Sequence, residues 1–408
     1  MTGLKSWAAA AVFAAASAAL APAAWAQQTI KIGALNPYSG PLALYGTEVT
    51  RGYELAADKV NAAGGLLGKK IELIRGDVST PQQGIATVEQ LVSRDKVDAF
   101  IGTYISAISL TASDAALRYN KLYWETNAVA QSLTERGLPN FIRSGPDSNA
   151  FATTSAATVR ELVAPALKKD LKDLKVWLES EDSIYGTSIV ASQKRLLEGF
   201  GAKVVGVGAH PSKSIDLNDS VLRAKQAAPD VYIQTGYVPD GNLLLRTFRE
   251  QGFKPAAIVL VGTGDTPETL QSLGKEYLEG IVIVGYPRYD ASESFGPGNR
   301  AYLASYKAKY NADPVAPQGM AAFSGFMLMA EAVKAAGSLD MEKVQAAAAK
   351  MNLPEGSTPS GFGAKFDKNF QNVRALFTAS QWQGGQMVTV FPKNAVGAGV
   401  TLKPLARP

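Results

Sequence analysis

Short apolar segments of strand length alternate with amphipathic segments of helix length along most of the chain, and this alternation constrains the fold most strongly. Ile30–Leu35 is the first strand-like segment, and Glu48–Asn61 follows with apolar residues spaced by three or four positions. Val97–Gly102 is a further apolar run that precedes another helical pattern. A repeated strand–helix order predicts a parallel sheet with helices on both faces.

The same alternation restarts near Ser148. Predicted strands at Lys175–Glu179, Val231–Gln234 and Ala257–Val261 are separated by helical segments, and a helix-rich block at Asn299–Lys350 and a β-like tail follow. A chain of 408 residues is long enough for two domains. We therefore predict the α/β class, with two doubly wound parallel-sheet lobes. No linker rich in proline, glycine or serine separates them, which favours rigid lobes joined by short hinges.

Cysteine is absent, and histidine occurs once, as His210. Thiol nucleophiles, iron–sulfur clusters, cysteine-ligated zinc and disulfides are therefore excluded. A Ser-His-Asp triad would need His210, which we expect in a surface loop because glycine, alanine, proline and serine surround it. We predict a protein that is not an enzyme and needs neither a metal nor a cofactor. The basic residues behind the formal charge of +5 are dispersed, so nucleic-acid binding is not predicted.

Residues 1–26 have the three-part pattern of a secretory signal peptide. Lys5 precedes an alanine-rich apolar run, and Ala24-Trp25-Ala26 supplies small residues at the −3 and −1 positions of a cleavage site. The run before Pro22 is shorter than the roughly 20 residues of a membrane-spanning helix. We predict export, a mature chain that begins near Gln27, and a soluble protein in the periplasm.

Several local motifs occur in a fixed order along the mature chain: Ser39-Gly40-Pro41, Asn61–Lys69, Ala112-Ser113-Asp114, Leu133–Gly137 and Tyr185-Gly186. In this order and spacing, the chain resembles the periplasmic solute-binding proteins of branched-chain amino acid (leucine/isoleucine/valine) ABC transporters, which have the type I periplasmic binding protein fold. The resemblance covers essentially the whole mature chain. It implies capture of a small-molecule ligand and its delivery to a membrane permease.

The resemblance also implies two lobes joined by three crossings of a hinge, which closes when a ligand contacts both lobes. We place lobe 1 at residues 27–145 and 287–360, and lobe 2 at residues 146–286 and 361–408. The protein is expected to act as a monomer, with the permease as its partner. The crossings are predicted near Arg143–Asp147, Val284–Pro287 and Ser360–Gly363.

Ser106 is the first candidate ligand-binding residue. It follows the predicted strand Val97–Gly102 and precedes a helix, so it lies where a parallel sheet places its ligands. A serine at a helix N-terminus can offer its hydroxyl and its backbone N–H to an anion. The resemblance implies that this serine holds the α-carboxylate of an amino acid. The alternative role is a plain helix cap.

Asn127 and Val129 occupy positions where the resemblance implies that backbone groups complete the cradle for the ligand. Asn127 stands where a small residue is common, and it either adds a hydrogen bond to the ligand or only shapes its loop. Tyr185 and Tyr237, from lobe 2, match positions that close over the ligand. A tyrosine ring offers both an apolar face and a hydroxyl, which suits a zwitterion with an apolar side chain.

Tyr45, Tyr104 and Gln318 match positions that line the side-chain pocket, although leucine binders have an apolar aromatic residue where Gln318 stands. A larger departure concerns the acidic residue that pairs with the α-ammonium in amino-acid binders. Its match falls on Gly264, and Asp265 is the neighbour. Either Asp265 supplies the counter-charge or the ligand lacks an amino group, because an unpaired buried ammonium is costly. Asp265 could instead cap a helix ahead of Pro267.

We predict a periplasmic solute-binding protein of an ABC importer for a branched-chain or other hydrophobic amino acid, or a related small carboxylate. Because of Gln318 and Gly264, aromatic carboxylates, amides and urea-like solutes remain open as ligands. A periplasmic ligand sensor with the same fold is an alternative function. A hydrolase is a further rival, but the chain contains no Gly-x-Ser-x-Gly nucleophile elbow.

Overall fold

The structure is a computed structural model that describes residues 29–405, so the predicted signal peptide at residues 1–26 lies outside the described residues. The strands are β1 (Thr29–Asn36), β2 (Lys70–Asp77), β3 (Ala99–Gly102), β4 (Tyr123–Glu125), β5 (Phe141–Arg143), β6 (Lys175–Glu181), β7 (Lys203–His210), β8 (Val231–Thr235), β9 (Ala257–Val261), β10 (Val282–Gly285), β11 (Thr378–Gln383) and β12 (Gln386–Phe391). The helices are α1 (Ala43–Ala62), α2 (Pro81–Gln90), α3 (Ser106–Arg118), α4 (Ser132–Glu135), α5 (Ser148–Thr158), α6 (Ala164–Ala166), α7 (Ile184–Gly199), α8 (Asn218–Ala227), α9 (Val238–Gln251), α10 (Pro267–Leu273), α11 (Lys275–Leu278), α12 (Asn299–Tyr310), α13 (Gln318–Ala336) and α14 (Met341–Ala349).

The first five strands form one sheet in the order β2-β1-β3-β4-β5, and all of its pairs are parallel. Strands of a parallel sheet are covered by helices on both faces and therefore read as continuous apolar runs. Accordingly, every residue of β3 is buried. After β1 the chain adds β2 on one side of it and then β3 on the other side. The carboxyl ends of β1 and β3 therefore form a topological switch point.

The remaining strands form a second sheet in the order β12-β11-β10-β9-β8-β6-β7. Strands β6 to β10 are parallel, whereas β11 and β12 add an antiparallel hairpin at one edge. The order changes direction between β6 and β8, which gives this sheet its own switch point. The predicted restart of the strand–helix alternation therefore corresponds to a separate sheet.

Helices α1 and α13 pack along each other against the five-stranded sheet. Their close approach requires glycine, because a Cβ atom on Gly52 would lie 2.0 Å from the carbonyl oxygen of Gly319. Any larger residue at position 52 would force the two helices apart. The contact brings α13 back to the first sheet, although the chain reaches α13 only after it has passed through five strands of the second.

The chain passes between the two sheets in three segments of its described part. The first lies between β5 and α5, and the second follows β10. The third comes ahead of β11, after a stretch in which the Phe366 ring contacts Trp124 of β4 and Gln371 pairs with Arg143 of β5. The predicted crossing at Ser360–Gly363 therefore lies ahead of a stretch that still packs on the first sheet. The division into lobes stays a prediction.

Within residues 29–405, none of the helices combines the length and the apolar character needed to cross a membrane.

Candidate ligand site between the two sheets

A small cavity lies between the two sheets, at the carboxyl ends of strands from both. The space open to the centre of a water molecule measures about 20 Å³, which is room for about one water. Switch points at the carboxyl ends of parallel strands are the usual position of a ligand in such sheets. The cavity is lined by Tyr104, Asn127, Val129, Phe151, Tyr185, Tyr237, Gly262, Gly285, Tyr286 and Gln318.

A larger groove of about 930 Å³ lies between α1, α12 and α13. It is built from the helices of the first sheet and the segment around Pro359, and no strand end opens into it. A ligand there would not contact both sheets. The smaller cavity is therefore the better candidate for a site whose two walls come from different sheets.

Four tyrosines pack on one another across the cleft. The Tyr45 and Tyr104 rings are stacked with their centroids 4.9 Å apart, Tyr104 lies 6.2 Å from Tyr237, and Tyr237 lies 4.9 Å from Tyr185. Tyr45 and Tyr104 follow β1 and β3, whereas Tyr185 and Tyr237 follow β6 and β8. Burial raises the pKa of all four hydroxyls well above the ordinary value. The hydroxyls therefore stay protonated and act as hydrogen-bond donors.

A direct hydrogen bond joins the two sides of the cleft: the Tyr45 hydroxyl donates to Asp265 Oδ1 at 2.7 Å, and both residues are buried. Asp265 therefore points towards the first sheet. Gly264, where amino-acid binders have their acidic residue, has a φ of 82°, and a Cβ atom there would lie 2.5 Å from Leu260 Cδ1. An acidic residue at position 264 would require this turn to be rebuilt, so Asp265 is the carboxylate that the loop presents to the cleft.

The loop after β4, residues 126–130, is the cradle loop. Its five backbone N–H groups all have acceptors within the protein. Glu125 Oε1 accepts from the backbone nitrogens of Thr126, Asn127 and Ala128, each at 2.9 Å. Ser106 Oγ accepts the hydrogen bonds of the next two backbone nitrogens, from Val129 N at 3.3 Å and Ala130 N at 3.1 Å. Glu125 is fully buried, and desolvation raises its pKa even though these N–H donors oppose the shift.

The carbonyl oxygens of the cradle loop are held as well. Arg143 Nη1 donates to the Ala128 and Ala130 oxygens at 3.1 and 2.8 Å. Tyr286 follows β10 of the other sheet, and its hydroxyl donates to the Asn127 carbonyl oxygen at 2.8 Å. The loop is therefore rigid, because its backbone is satisfied from several directions.

The nine predicted site residues divide into two groups in the structure. Those on the cavity wall are Tyr104, Asn127, Val129, Tyr185, Tyr237 and Gln318. Tyr45 and Asp265 pair with each other beside the cavity, and the Ser106 hydroxyl braces the cradle loop from behind the wall. The Asn127 side chain donates to the Gln318 carbonyl at 3.3 Å and accepts from Thr126 Oγ1 at 2.6 Å, so it shapes the loop in this structure.

Two aromatic residues of the cavity wall, Phe151 and Tyr286, were not predicted. Tyr286 directly follows β10, so the strand-end rule that singled out Tyr237 could have found it. Phe151 lies in the first turn of α5, and its ring stacks on Phe377 with centroids 3.4 Å apart. No local signal in the sequence marks Phe151, because its neighbour comes from the far end of the chain.

The prediction that His210 lies in a surface loop was wrong. His210 ends β7 and is 3% exposed. Its Nδ1 lies 3.0 Å from Glu179 Oε1, and its Nε2 lies 3.3 Å from Asp240 Oδ2. Desolvation lowers the pKa of His210, but the two carboxylates outweigh it and raise the pKa to about 9. Asp240 also accepts from the backbone nitrogen of Tyr237 at 2.9 Å, so this buried cluster supports a tyrosine of the cavity wall.

The profile of the periplasmic binding protein family matches residues 29–386. The chain belongs to this family. Among curated relatives, the Leu/Ile/Val-binding protein homolog 7 of Brucella suis biovar 1 (strain 1330) is 36% identical over 387 residues, which cover 95% of this chain and 97% of the relative. The resemblance to the leucine/isoleucine/valine class that the motifs indicated is thereby confirmed.

Solved structures of periplasmic binding proteins confirm the predicted fold. The branched-chain amino acid transporter substrate binding protein LivJ from Streptococcus pneumoniae, in complex with isoleucine, has a TM-score of 0.73 at 24% identity, covering 89% of this chain and 100% of that chain. An ABC transporter solute binding protein from R. palustris, in complex with 4-hydroxybenzoate, has a TM-score of 0.74 at 22% identity, covering 89% and 95%. The protein is a substrate-binding protein of the ABC transporter type.

Proposed function

We propose that this periplasmic binding protein captures an amino acid or a related small carboxylate between its two sheets and delivers it to a permease in the inner membrane. Export by the predicted signal peptide, a periplasmic location and action as a monomer are parts of the proposal. The observation that carries it is the cavity whose walls come from the strand ends of both sheets. A ligand that contacts both walls favours closure of the cleft, because those contacts exist only when the sheets approach each other.

The chemistry of the walls supports a small ligand with an acidic group and an apolar or aromatic body. Protonated tyrosine hydroxyls can donate hydrogen bonds to an acid, and the flat rings can cover an apolar group. Isoleucine in the LivJ complex fits this description. For an amino acid, Asp265 is the proposed counter-charge of the α-ammonium, because its carboxylate faces the cleft and is buried.

A second candidate ligand is an aromatic carboxylate without an amino group. Six aromatic residues surround the cleft, and no acidic residue stands at position 264. Stacking between aromatic rings adds about 0.5–1.5 kcal/mol beyond the burial of area. The R. palustris relative was solved with 4-hydroxybenzoate, which has this chemistry.

Isothermal titration calorimetry of the purified mature chain tests the proposal with L-leucine, L-isoleucine and 4-hydroxybenzoate. We expect at least one of these to bind, and a ligand at about 100 times its dissociation constant to add about 2.7 kcal/mol to the free energy of unfolding. The Asp265→Asn variant distinguishes the two classes: weaker binding of the amino acids with unchanged binding of 4-hydroxybenzoate supports the ammonium partner. Glu268→Gln, a change in the neighbouring helix α10, is the control. Equal amino-acid affinity in both variants would contradict the role of Asp265.

A further inference from the structure

One polar atom on the cavity wall has no partner in the protein. Gln318 begins α13 and is only 2% exposed, and its side-chain oxygen Oε1 is buried without a hydrogen bond to any described residue. Among the described residues that line the cavity, Gln318 alone has such an atom. Most buried polar atoms in folded proteins are hydrogen-bonded, so an unpaired one on the wall of a ligand site requires an explanation.

The Gln318 side chain is held against Tyr104, another residue of the cavity wall. Burial raises the pKa of the Tyr104 hydroxyl, and a hydrogen bond from the Gln318 side chain opposes this shift. A group that lowers the pKa of a hydroxyl donates to its ionised form, so the amide nitrogen Nε2 is the atom that faces Tyr104. The backbone of Gln318 is fixed as well, because its carbonyl oxygen accepts from Asn127 Nδ2 at 3.3 Å. The free oxygen therefore belongs to an amide that is fixed from two sides.

The free oxygen of Gln318 differs from the other polar groups of the wall. The Asn127 amide is hydrogen-bonded through both its oxygen and its nitrogen, and the Tyr286 hydroxyl donates to a carbonyl oxygen of the cradle loop. The Gln318 oxygen is thus the uncommitted amide acceptor of the wall. An amide oxygen accepts hydrogen bonds but cannot donate them, so it suits an O–H or N–H group and disfavours a carboxylate.

We propose that Gln318 selects a ligand that carries an O–H or N–H group on its apolar body, apart from its acid and any α-ammonium. The inference rests on the proposed function and narrows the class of ligand to hydroxylated aromatic acids and amino acids with a hydroxyl or amide side chain. In an open cleft the Gln318 oxygen is hydrated. Closure on a hydrocarbon side chain would bury this oxygen unpaired, whereas closure on a ligand with a donor satisfies it.

Pairs of ligands that differ in this donor test the assignment by isothermal titration calorimetry: 4-hydroxybenzoate against 4-fluorobenzoate, and L-threonine against L-valine. The two members of each pair are closely matched in size. We expect the wild-type protein to bind the member with the donor about 10- to 100-fold more tightly, as the cost of burying an unpaired acceptor predicts. Gln318→Met keeps the length of the side chain but removes the acceptor, and we expect this preference to fall at least about tenfold.

Gln193→Met is the matched control. Gln193 is also a buried glutamine whose Oε1 has no partner among the described residues, but it lies in α7 and does not line the cavity. We expect this variant to keep the wild-type preference. The control separates the loss of a contact with the ligand from the general effect of removing a buried amide, and thermal midpoints show whether each variant is folded.

The outcomes separate this inference from the function on which it rests. If the wild-type protein binds acids but favours neither member of a pair, or binds L-leucine and no acid with the donor, the inference is overturned while the proposed function stands. A preference that Gln318→Met keeps also overturns it. If the protein binds none of these acids, the proposed function fails and the inference fails with it. If Gln318→Met does not fold, the wild-type preference alone decides.

Discussion

The single histidine makes one buried cluster open to a direct measurement. His210 lies between Glu179 and Asp240, and its pKa is raised from 6.5 to about 9 by the two carboxylates. Other polar groups that face the cluster include the Trp177 Nε1 and Gln234 Nε2 donors, which bind Glu179 and Asp240 at 3.0 and 2.9 Å, and the Tyr237 backbone nitrogen, which donates to Asp240 at 2.9 Å. The buried Glu181 carboxylate also acts on Asp240 through its charge. We predict a positively charged imidazole at neutral pH that holds two buried acids together.

This pKa also determines how stability depends on pH. The folded state keeps a proton on His210 that the unfolded state releases above pH 6.5, so the stabilisation is complete below pH 6.5 and is lost as the pH rises through 9. The difference between the two pKa values corresponds to about 3 kcal/mol. Breaking the cluster by His210→Gln would leave two buried carboxylates without a cation, at a cost of about 3–5 kcal/mol.

Proton NMR follows the C2–H resonance of His210 without ambiguity, because the chain contains one histidine. We expect a titration midpoint near pH 9 in the folded protein, and the resonance should be missing in His210→Gln. Urea unfolding of the wild-type protein at pH 6.5 and pH 9 should show the free energy of unfolding falling by about 3 kcal/mol. A midpoint at or below pH 6.5 would refute the reasoning, since the imidazole would then be neutral beside its two acids.

Variants at three further positions test the residues that support the cavity from behind or beside its wall. Glu125→Gln should lower the free energy of unfolding by about 3 kcal/mol in urea titrations, because an amide cannot accept from all the donors that now converge on the carboxylate, and an unchanged stability would indicate a protonated carboxyl. Ser106→Ala should cost about 2 kcal/mol by leaving two N–H groups of the cradle loop without acceptors, whereas Ser106→Thr, which keeps the hydroxyl, should cost less. Tyr45→Phe removes the hydrogen bond to Asp265 that joins the two sides of the cleft, which contributes about 1.5–3 kcal/mol, and keeps the aromatic ring. We expect small-angle X-ray scattering to show a more open unliganded protein, and identical scattering curves would show that this bond does not hold the two sheets together.

Much of the fold could be predicted because parallel strands are apolar on both faces and alternate with helices. The strand predicted at Ala257–Val261 has the same limits in the structure. Strand β5 was not predicted, since Phe141–Arg143 is too short for an apolar period to show. The hairpin of β11 and β12 was predicted as β structure, but its antiparallel attachment to β10 depends on contacts between distant residues.

The site was harder to predict where its partners are distant in the sequence. His210 was misplaced because glycine, alanine, proline and serine surround it in the sequence, whereas Glu179 and Asp240 lie about 30 positions away on either side. The use of Ser106 as an acceptor for the cradle loop could not be predicted either, because it depends on where the backbone of residues 129 and 130 lies. Site residues at strand ends, such as Tyr237, could be predicted, because the end of a parallel strand shows in the sequence as the end of an apolar run.

The tyrosines that pack across the cleft have a consequence for affinity. Tyr104, Tyr185 and Tyr237, together with the bond from Tyr45 to Asp265, fill the space between the sheets and leave about 20 Å³. If the ligand binds in this cleft as proposed, it must displace these contacts before it makes its own, so the self-packed tyrosines compete with the ligand. Each factor of ten by which the self-packed form is favoured raises the apparent dissociation constant tenfold. Substitutions that only loosen the rings would therefore tighten binding without touching the solute.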